Sequence, residues 1–207
     1  MSFFKSVEPI FKRETISKCK GSYTVELSFN AGVELGKGNP SKTEVLISCF
    51  NNDEKRKKLI WAKEIGNVPM PTASWHGLSI IVIHNNNVIV GYSNEISCYR
   101  LFNGSLIWNL KFKTGVVKEL FLSKENDSLY TYTAIQSLKA NKRISNISKL
   151  DLGGQLLWEA EKPGREITYT GPPKYYEGEL MAHSSDSHSC FINQKTGKIE
   201  KKFFSKV

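Results

Sequence analysis

Two histidines and an aspartate lie close together in the segment His183-Ser184-Ser185-Asp186-Ser187-His188. Imidazole nitrogens and a carboxylate are ligands that zinc and other transition metals accept in proteins. His183 and His188 flank a four-residue turn, so we expect them to be cross-strand neighbours with Asp186 at the tip. Their spacing matches no zinc motif, which makes these three residues weak candidates for a metal site. The alternative is a polar hairpin whose histidines are solvated or hydrogen-bonded, and no other cofactor is predicted.

Basic side chains form a second group with possible binding chemistry. The chain carries 29 Lys and Arg against 20 Asp and Glu, which gives a formal net charge of +9. Two clusters at equivalent turns are predicted to bind a partner: Lys55, Arg56, Lys57 and Lys58, and then Lys195 and Lys198, which Lys201 and Lys202 follow. If the first and last repeats are neighbours, the clusters merge into one positive patch; taken singly, each is better explained as a solvated turn. A further group, Lys139, Lys142 and Arg143, is expected to face the opposite way.

The type of anionic partner follows from the residues beside these lysines. Proteins that bind single-stranded nucleic acid usually interleave aromatic stacking platforms with their basic residues. Here the clusters contain almost none, apart from Phe203 and Phe204 beside Lys201 and Lys202. The pattern therefore favours an acidic protein partner, such as a toxin domain, over nucleic acid.

Catalytic motifs are missing from the sequence. There is no G-x-S-x-G, H-E-x-x-H, P-loop or G-x-G-x-x-G pattern. The glycine-rich residues 32–38 lack the Gly-Lys-Ser/Thr ending of a phosphate loop, so they are expected to form a hairpin loop. None of the four cysteines lies in a C-x-x-C pair, and three occupy a repeated position that is typical of small buried hydrophobes. The sequence thus predicts a protein that is not an enzyme.

That repeated position belongs to a motif that recurs along the chain. Four copies begin at Ile47, Ile96, Ile147 and His188, which are 49, 51 and 41 residues apart: Ile-Ser-Cys-Phe, Ile-Ser-Cys-Tyr, Ile-Ser-Lys-Leu and His-Ser-Cys-Phe. Each of the first three leads downstream to a tryptophan, at Trp61, Trp108 and Trp158. A period near fifty residues indicates a propeller, a solenoid or an array.

The elements that carry these motifs read as β-strands. Short β-branched runs alternate with turn residues, and no long stretch has helical periodicity with good caps. We predict an all-β fold, a small β-propeller-like array of about four four-stranded antiparallel blades in a single domain of residues 1–207. The approximate blades are 1–67, 68–112, 113–162 and 163–207. Residues 166–170 are predicted to be the first strand of the last blade. Residues 3–16 are predicted to be a strand that completes the ring; alternatively, the chain is an open arc that pairs with itself or with a partner. The alternative is a β-sandwich of duplicated hairpins.

Three segments share a turn that ends in glycine and a short strand after it: residues 102–108, 152–158 and 194–199. They resemble blades of the quinoprotein-type (PQQ-like) and WD40-like β-propeller families, which typically close a blade with such a turn and a strand bearing tryptophan. The first period departs from this pattern at residues 53–57, and the fourth lacks the tryptophan. Quinoprotein dehydrogenases use metal and quinone ligands that have no counterpart in this sequence, so the resemblance implies the blade and not the reaction.

These observations favour a non-enzymatic, protein-binding module. No apolar run is long enough to cross a membrane and the N-terminus has no secretory pattern, so a cytoplasmic location is expected. We expect specifically a bacterial immunity protein that neutralises a cognate toxin by occluding its active site. The alternatives are a nucleic-acid-binding propeller that uses the same lysines and a metal-assisted enzyme at His183 and His188. The oligomeric state is left open.

Overall fold

The structure, a computed structural model, describes residues 12–31, 43–52, 57–68, 80–113, 115–123, 127–137 and 142–205. These residues form sixteen β-strands and no helix, so the all-β prediction is confirmed. None of them belongs to a helix that is long and apolar enough to cross a membrane. The strands are β1 (Lys12–Lys20), β2 (Tyr23–Ala31), β3 (Thr43–Asn51), β4 (Lys58–Val68), β5 (Ile81–His84), β6 (Asn87–Tyr92), β7 (Glu95–Arg100), β8 (Leu106–Lys111), β9 (Val116–Ser123), β10 (Ser128–Ser137), β11 (Lys142–Leu150), β12 (Leu156–Glu159), β13 (Lys174–Tyr176), β14 (Glu179–His183), β15 (His188–Ile192) and β16 (Ile199–Phe204).

Each group of four consecutive strands forms its own sheet. The orders are β1-β2-β3-β4, β5-β6-β7-β8, β9-β10-β11-β12 and β13-β14-β15-β16, and the strand pairs are antiparallel. This arrangement confirms the expected four blades of four strands. β1 pairs with β2 along its whole length, so residues 12–16 of the segment predicted to complete the ring belong to the first strand of the first sheet.

The prediction of a strand at residues 166–170 is wrong. That stretch makes one isolated bridge, Tyr169 to Ser184, and the first strand of the fourth sheet is β13. The reason lies in the turn after β13, where Glu177 and Gly178 both have positive φ, 50° and 80°. Two such residues form the type I′ turn that suits a tight β-hairpin, so β13 takes the edge of β14.

The repeated motif lies in the third strand of every sheet, where it supplies the core. Alternate residues on a strand share a face, so the first and third residues of the motif point the same way. The residues at these two positions with no exposed surface are Ile47, Cys49, Ile96, Cys98, Ile147 and Cys190. The three cysteines are buried as predicted, and burial raises the pKa of the Cys49 thiol to about 11. That thiol is therefore held in its unreactive, neutral form at physiological pH.

The chain divides into two compact units. One comprises residues Met1–Ser74 with Arg100–Ser105, and it holds the first sheet. The other comprises Trp75–Tyr99 with Leu106–Val207, and it holds the remaining three sheets apart from the turn that joins β7 to β8. Within the second unit, buried residues of the third and fourth sheets pack into one cluster around Tyr130, Trp158 and Tyr169. This packing fixes the elements that carry the candidate site.

Candidate functional site

The fourth strand of each of the first three sheets carries a tryptophan that donates a hydrogen bond to the turn of the next repeat. In the second unit, the Trp108 indole donates a hydrogen bond from Nε1 to Leu152 O at 3.0 Å. The Trp158 indole donates in the same way to Gln194 O at 3.0 Å. In the first unit, Trp61 Nε1 donates to the carbonyl oxygen of Leu101 at 2.7 Å. The tryptophans of the sequence repeat are thus docking residues.

Contact with the tryptophan is one reason why each of these turns has a glycine. Gly104, Gly154 and Gly197 have positive φ values of 68°, 87° and 72°, which favour glycine over other residues. A Cβ atom at Gly154 would also lie 2.5 Å from Cδ2 of Trp108, and one at Gly197 would lie 2.8 Å from Cε3 of Trp158. Backbone conformation and close approach of the indole therefore both require glycine.

The turn of the fourth sheet, residues 193–198, is fixed by a dense set of hydrogen bonds. The side-chain oxygen Oδ1 of Asn193 accepts from the backbone N–H groups of Lys195 and Thr196, each at 2.9 Å. The Gly197 N–H donates to Asn193 O at 2.8 Å, and Asn193 N–H donates to Lys198 O at 2.8 Å. Together with the bond from Trp158, these contacts hold Lys195 and Lys198 on a rigid support.

Lys149 is a functional candidate that our reading of the sequence missed. It occupies the motif position at which the other three copies have cysteine, and it is 8% exposed. Its ammonium Nζ donates to Gln194 O at 2.9 Å and lies 5.7 Å from the ring centroid of Tyr130. Removal from water lowers the pKa of this lysine, because burial disfavours the charged form. The departure of Ile-Ser-Lys-Leu from the repeat was the signal that could have identified it.

A half-open cleft of about 490 Å³ lies beside this lysine. Its lining residues are Lys149, Glu179, Leu180, Phe191, Ile192, Asn193, Gln194, Lys195 and Glu200. Both carboxylates already have partners, since Glu179 pairs with Lys201 Nζ at 2.9 Å and Glu200 accepts from Asn193 Nδ2 at 2.6 Å. Within the described part of the chain, no carboxylate forms an ion pair with Lys149 or Lys195. Lys149, Lys195 and Glu200 thus line the cleft without an ion pair to a described residue, so the balance of unpaired charge there is positive.

The structure divides the predicted basic residues into paired and unpaired groups. Lys57 forms an ion pair with Glu26, and its Nζ lies 4.0 Å from the ring centroid of Phe50. Lys201 and Lys202 are paired with Glu179 and Asp186. Of the predicted basic residues, Lys58, Lys195 and Lys198 are exposed and form no ion pair with a described carboxylate.

Other basic candidates lie beyond what the structure describes. Lys55, Arg56 and Lys139 fall outside the described residues, as do the side chains of Lys142 and Arg143. The merging of the two basic clusters into one patch stays a prediction.

The histidine–aspartate segment forms a polar hairpin. His188 Nδ1 lies 2.9 Å from the backbone oxygen of Asp186 and 3.2 Å from its Oδ2. Lys202 Nζ donates to the same Oδ2 at 2.7 Å, and Ser184 Oγ donates to Oδ1. Burial raises the pKa of Asp186, but the hydrogen bonds from Lys202 and Ser184 outweigh this effect and lower the pKa to about 2. Asp186, one of the three candidate metal ligands, therefore forms an ion pair with Lys202.

The second histidine of the segment has a separate contact. His183 Nδ1 lies 3.3 Å from Ser189 Oγ. Across the described ranges, no three His, Cys, Asp or Glu side chains are arranged to hold a metal ion. The geometry of the hairpin therefore gives no support to a metal site at His183, Asp186 and His188.

Comparison with known proteins identifies the fold. No protein-family model and no curated protein matches the chain in sequence. The solved Cps50 (Swd1) β-propeller domain of Myceliophteria thermophila is 10% identical, and the match covers 88% of this chain and 70% of that domain with a TM-score of 0.51. The computationally designed Ika8 protein is 9% identical, with 91% of this chain and 61% of Ika8 covered at a TM-score of 0.50. The chain therefore spans about three fifths of the length of Ika8.

The class that these observations define is the β-propeller-like array. A four-stranded antiparallel sheet, repeated and docked through a tryptophan, is the blade of that architecture. The match to the Swd1 domain confirms the resemblance to propeller blades as a resemblance of fold. At 10% identity it shows the fold alone.

Proposed function

We propose that this protein is a non-enzymatic binding module that recognises an acidic protein through the turn of its fourth sheet. One observation carries the proposal: Lys195 and Lys198 are exposed, form no ion pair with a described carboxylate, and stand on a turn that hydrogen bonds and Trp158 hold in place. Because the backbone of the turn is already ordered, its ordering adds no further entropic cost when a partner binds. The exposed charges also accelerate encounter with a surface of opposite charge.

In its specific form, the proposal is that the protein is a bacterial immunity protein, whose partner is a cognate toxin with an acidic surface around its active site. A net charge of +9 supports this choice of partner. Propeller loops suit the task, since a rigid scaffold presents them and their sequences can vary freely. Occlusion of the active site requires no catalytic residue in the inhibitor.

The first experiment is a pull-down from the native organism, at low and at high salt, with the whole protein as bait. We expect one stoichiometric acidic protein that is retained at high salt. The double variant Lys195→Glu, Lys198→Glu should lose this protein. A matched control, Lys111→Glu with Lys113→Glu, makes the same change of charge at two exposed lysines elsewhere and should retain it.

Toxin neutralisation is tested in cells. If the retained protein is a toxin, co-expression of this chain should restore growth, and the Lys195→Glu, Lys198→Glu variant should restore less. Equal survival of toxin-expressing cells with and without this protein would contradict the immunity proposal while leaving protein binding in place.

A second candidate is nucleic-acid binding, which one observation favours. Phe203 and Phe204 are 56% and 67% exposed beside two lysines, and aromatic rings at such positions stack on bases. Lys201 and Lys202 are, however, already paired with carboxylates. Heterogeneous RNA that is retained at low salt and lost at high salt would establish this candidate in place of the first.

A further inference from the structure

We propose that the cleft beside Lys149 binds a small organic carboxylate with an apolar body. The site goes beyond the protein-binding surface proposed above, although Lys195 contributes to both. Three observations carry the proposal: the residue at position 149, the balance of charge around the cleft, and the size and lining of the cleft.

The residue at position 149 is the first observation. Where this motif position is filled by cysteine, at Cys49, Cys98 and Cys190, the side chain has no exposed surface and completes the core. Lys149 places an ammonium there, and one of its three N–H donors is used by Gln194 O. A cation removed from water is costly unless a counter-charge or further acceptors satisfy it. A carboxylate in the cleft supplies both.

The balance of charge is the second observation. Glu179 and Glu200 line the same cleft, but a lysine and an asparagine already bind them. Lys149 and Lys195 have no carboxylate partner among the residues that the structure describes. An anion therefore meets two lysines without a carboxylate partner, while Glu179 is neutralised by Lys201 and Glu200 keeps its charge.

Size and lining are the third observation. About 490 Å³ lies within the range of small-molecule sites and exceeds what a single carboxylate group fills. Three apolar residues line it beside the polar groups: Phe191, which is half-buried, and the core residues Leu180 and Ile192, which are 1% and 3% exposed. A ligand that joins a carboxylate to a short hydrocarbon body matches both parts of the lining.

Nuclear magnetic resonance of the whole protein tests the site, with hexanoate as the probe and the methyl groups of Leu180 and Ile192 as reporters. We expect saturable shifts of these methyl signals with hexanoate. Acetate should bind more weakly because it lacks the apolar body. Hexylammonium, which has a similar body and the opposite charge, should give no saturable shift.

The matched variant is Lys149→Cys, which installs the residue that the other three repeats have at this position. Because cysteine fits the equivalent site in each of the other sheets, the variant should fold, and its methyl spectrum will verify this. Loss of the charge-assisted hydrogen bond should weaken hexanoate binding by about tenfold or more. Lys198→Met is the control, since Lys198 lies on the same turn but does not line the cleft.

Three results would overturn the proposal. They are the absence of saturable shifts in the native protein, equal binding of hexanoate and hexylammonium, and unchanged hexanoate binding in a folded Lys149→Cys variant. The outcome is separable from that of the pull-down, because Lys149→Cys leaves the exposed lysines of the turn in place. Capture of the protein partner by this variant shows that the two sites act independently.

Discussion

The second and third sheets have the same strand order and differ at the third position of the repeated motif. In the second, Cys98 pairs in register with Trp108; in the third, Lys149 pairs with Trp158. Both tryptophans dock on the turn of the sheet that follows. These two sheets therefore share the tryptophan and its contact with a glycine turn, whereas the residue paired with the tryptophan is a cysteine in one and a lysine in the other.

The surroundings of the two positions explain why both residues are accepted. Cys98 lies in an apolar cluster that includes Ile96, Leu129 and Leu150. Lys149 lies beside the face of Tyr130 and lines the cleft, where its ammonium reaches Gln194 O. The same blade architecture can therefore hold either a fully buried thiol or a charged side chain that lines a cleft at this position. Substitutions at the residues that the two sheets share, and at those that differ, test this division of roles.

The largest effect is expected from removal of the shared docking residue. Trp158→Ala should lower the free energy of unfolding by about 3–5 kcal/mol, since it leaves a cavity and removes a hydrogen bond. Trp108→Ala should cost a similar amount if the two sheets are equivalent. Urea denaturation gives both values.

The control is Lys202→Ala, because Lys202 pairs with Cys190 at the position that the tryptophans occupy in the other sheets. A large loss in this control would mean that the position itself, and not docking, sets the effect.

Exchange of the two core residues tests the difference between the sheets. Cys98→Lys should cost about 3–5 kcal/mol, because it buries an uncompensated charge in an apolar cluster. Lys149→Cys should stabilise the protein by about 1–2 kcal/mol at neutral pH, because it removes a partly desolvated cation. If Lys149→Cys were destabilising, the lysine would be a structural residue and the division of roles would fail.

The pH dependence of Lys149 gives an independent check on the same comparison. Burial lowers the pKa of Lys149 in the folded state below its value in the unfolded chain, so the unfolded chain binds more protons between the two values. The contribution of Lys149 to stability therefore rises as the pH increases through this window. We expect the advantage of Lys149→Cys to shrink on going from neutral pH towards pH 10. An advantage that is constant with pH would show that charge is not its cause.

A smaller effect is expected from the turn glycines. Gly154→Ala should cost about 2–4 kcal/mol, the sum of an unfavourable positive φ and overlap with the Trp108 ring. Gly178→Ala isolates the first contribution, because φ is +80° there and nothing lies within 4 Å of the added Cβ. It should cost about 1–2 kcal/mol. Equal losses in the two variants would indicate that contact with the tryptophan does not constrain the turn.

The blades could be predicted from the sequence because the residues that make the tryptophan contact recur in successive repeats. A four-residue motif with buried first and third positions, a turn and a tryptophan recur in the same order in the first three repeats, because each repeat packs in the same way. The number of blades and the number of strands in each blade could therefore be predicted. The first strand of the fourth sheet was misplaced because Ile167 and Tyr169 alternate as strand residues do, while the type I′ turn at Glu177 and Gly178 decides the pairing.

The candidate site was less accessible to prediction, since it depends on contacts between distant residues. The sequence indicated that Lys195, Lys198, Lys201 and Lys202 form one basic group. It could not show that Glu179 and Asp186 neutralise the last two. Similarly, the contact of Lys149 with Gln194 joins residues 45 positions apart, and no local pattern reports it.

The smallest effect is expected in the fourth sheet, where Lys202 stands in place of a docking tryptophan and pairs with Asp186. The pKa of this aspartate is about 2 in the folded protein, below its ordinary value of 3.8. A lowered carboxyl pKa contributes stability that is fully present above the unfolded value and is lost as the pH falls through the folded value. Asp186→Asn should therefore cost no more than about 1 kcal/mol at neutral pH, as is usual for pairs near the surface.

Acid denaturation curves of parent and Asp186→Asn provide the measurement. The two free energies of unfolding should differ above about pH 4 and converge as the pH falls through 2 towards about 1, because both proteins then have a neutral side chain at position 186. Asp127→Asn, at an exposed aspartate with no ion pair to a described lysine or arginine, is the matched control and should follow the parent more closely. A gap between Asp186→Asn and the parent that persists at about pH 1, below the folded pKa, would assign the effect to the hydrogen-bonded turn and not to the Lys202 ion pair. The fourth sheet would then differ from the docked sheets in the shape of its hairpin as well as in its charge.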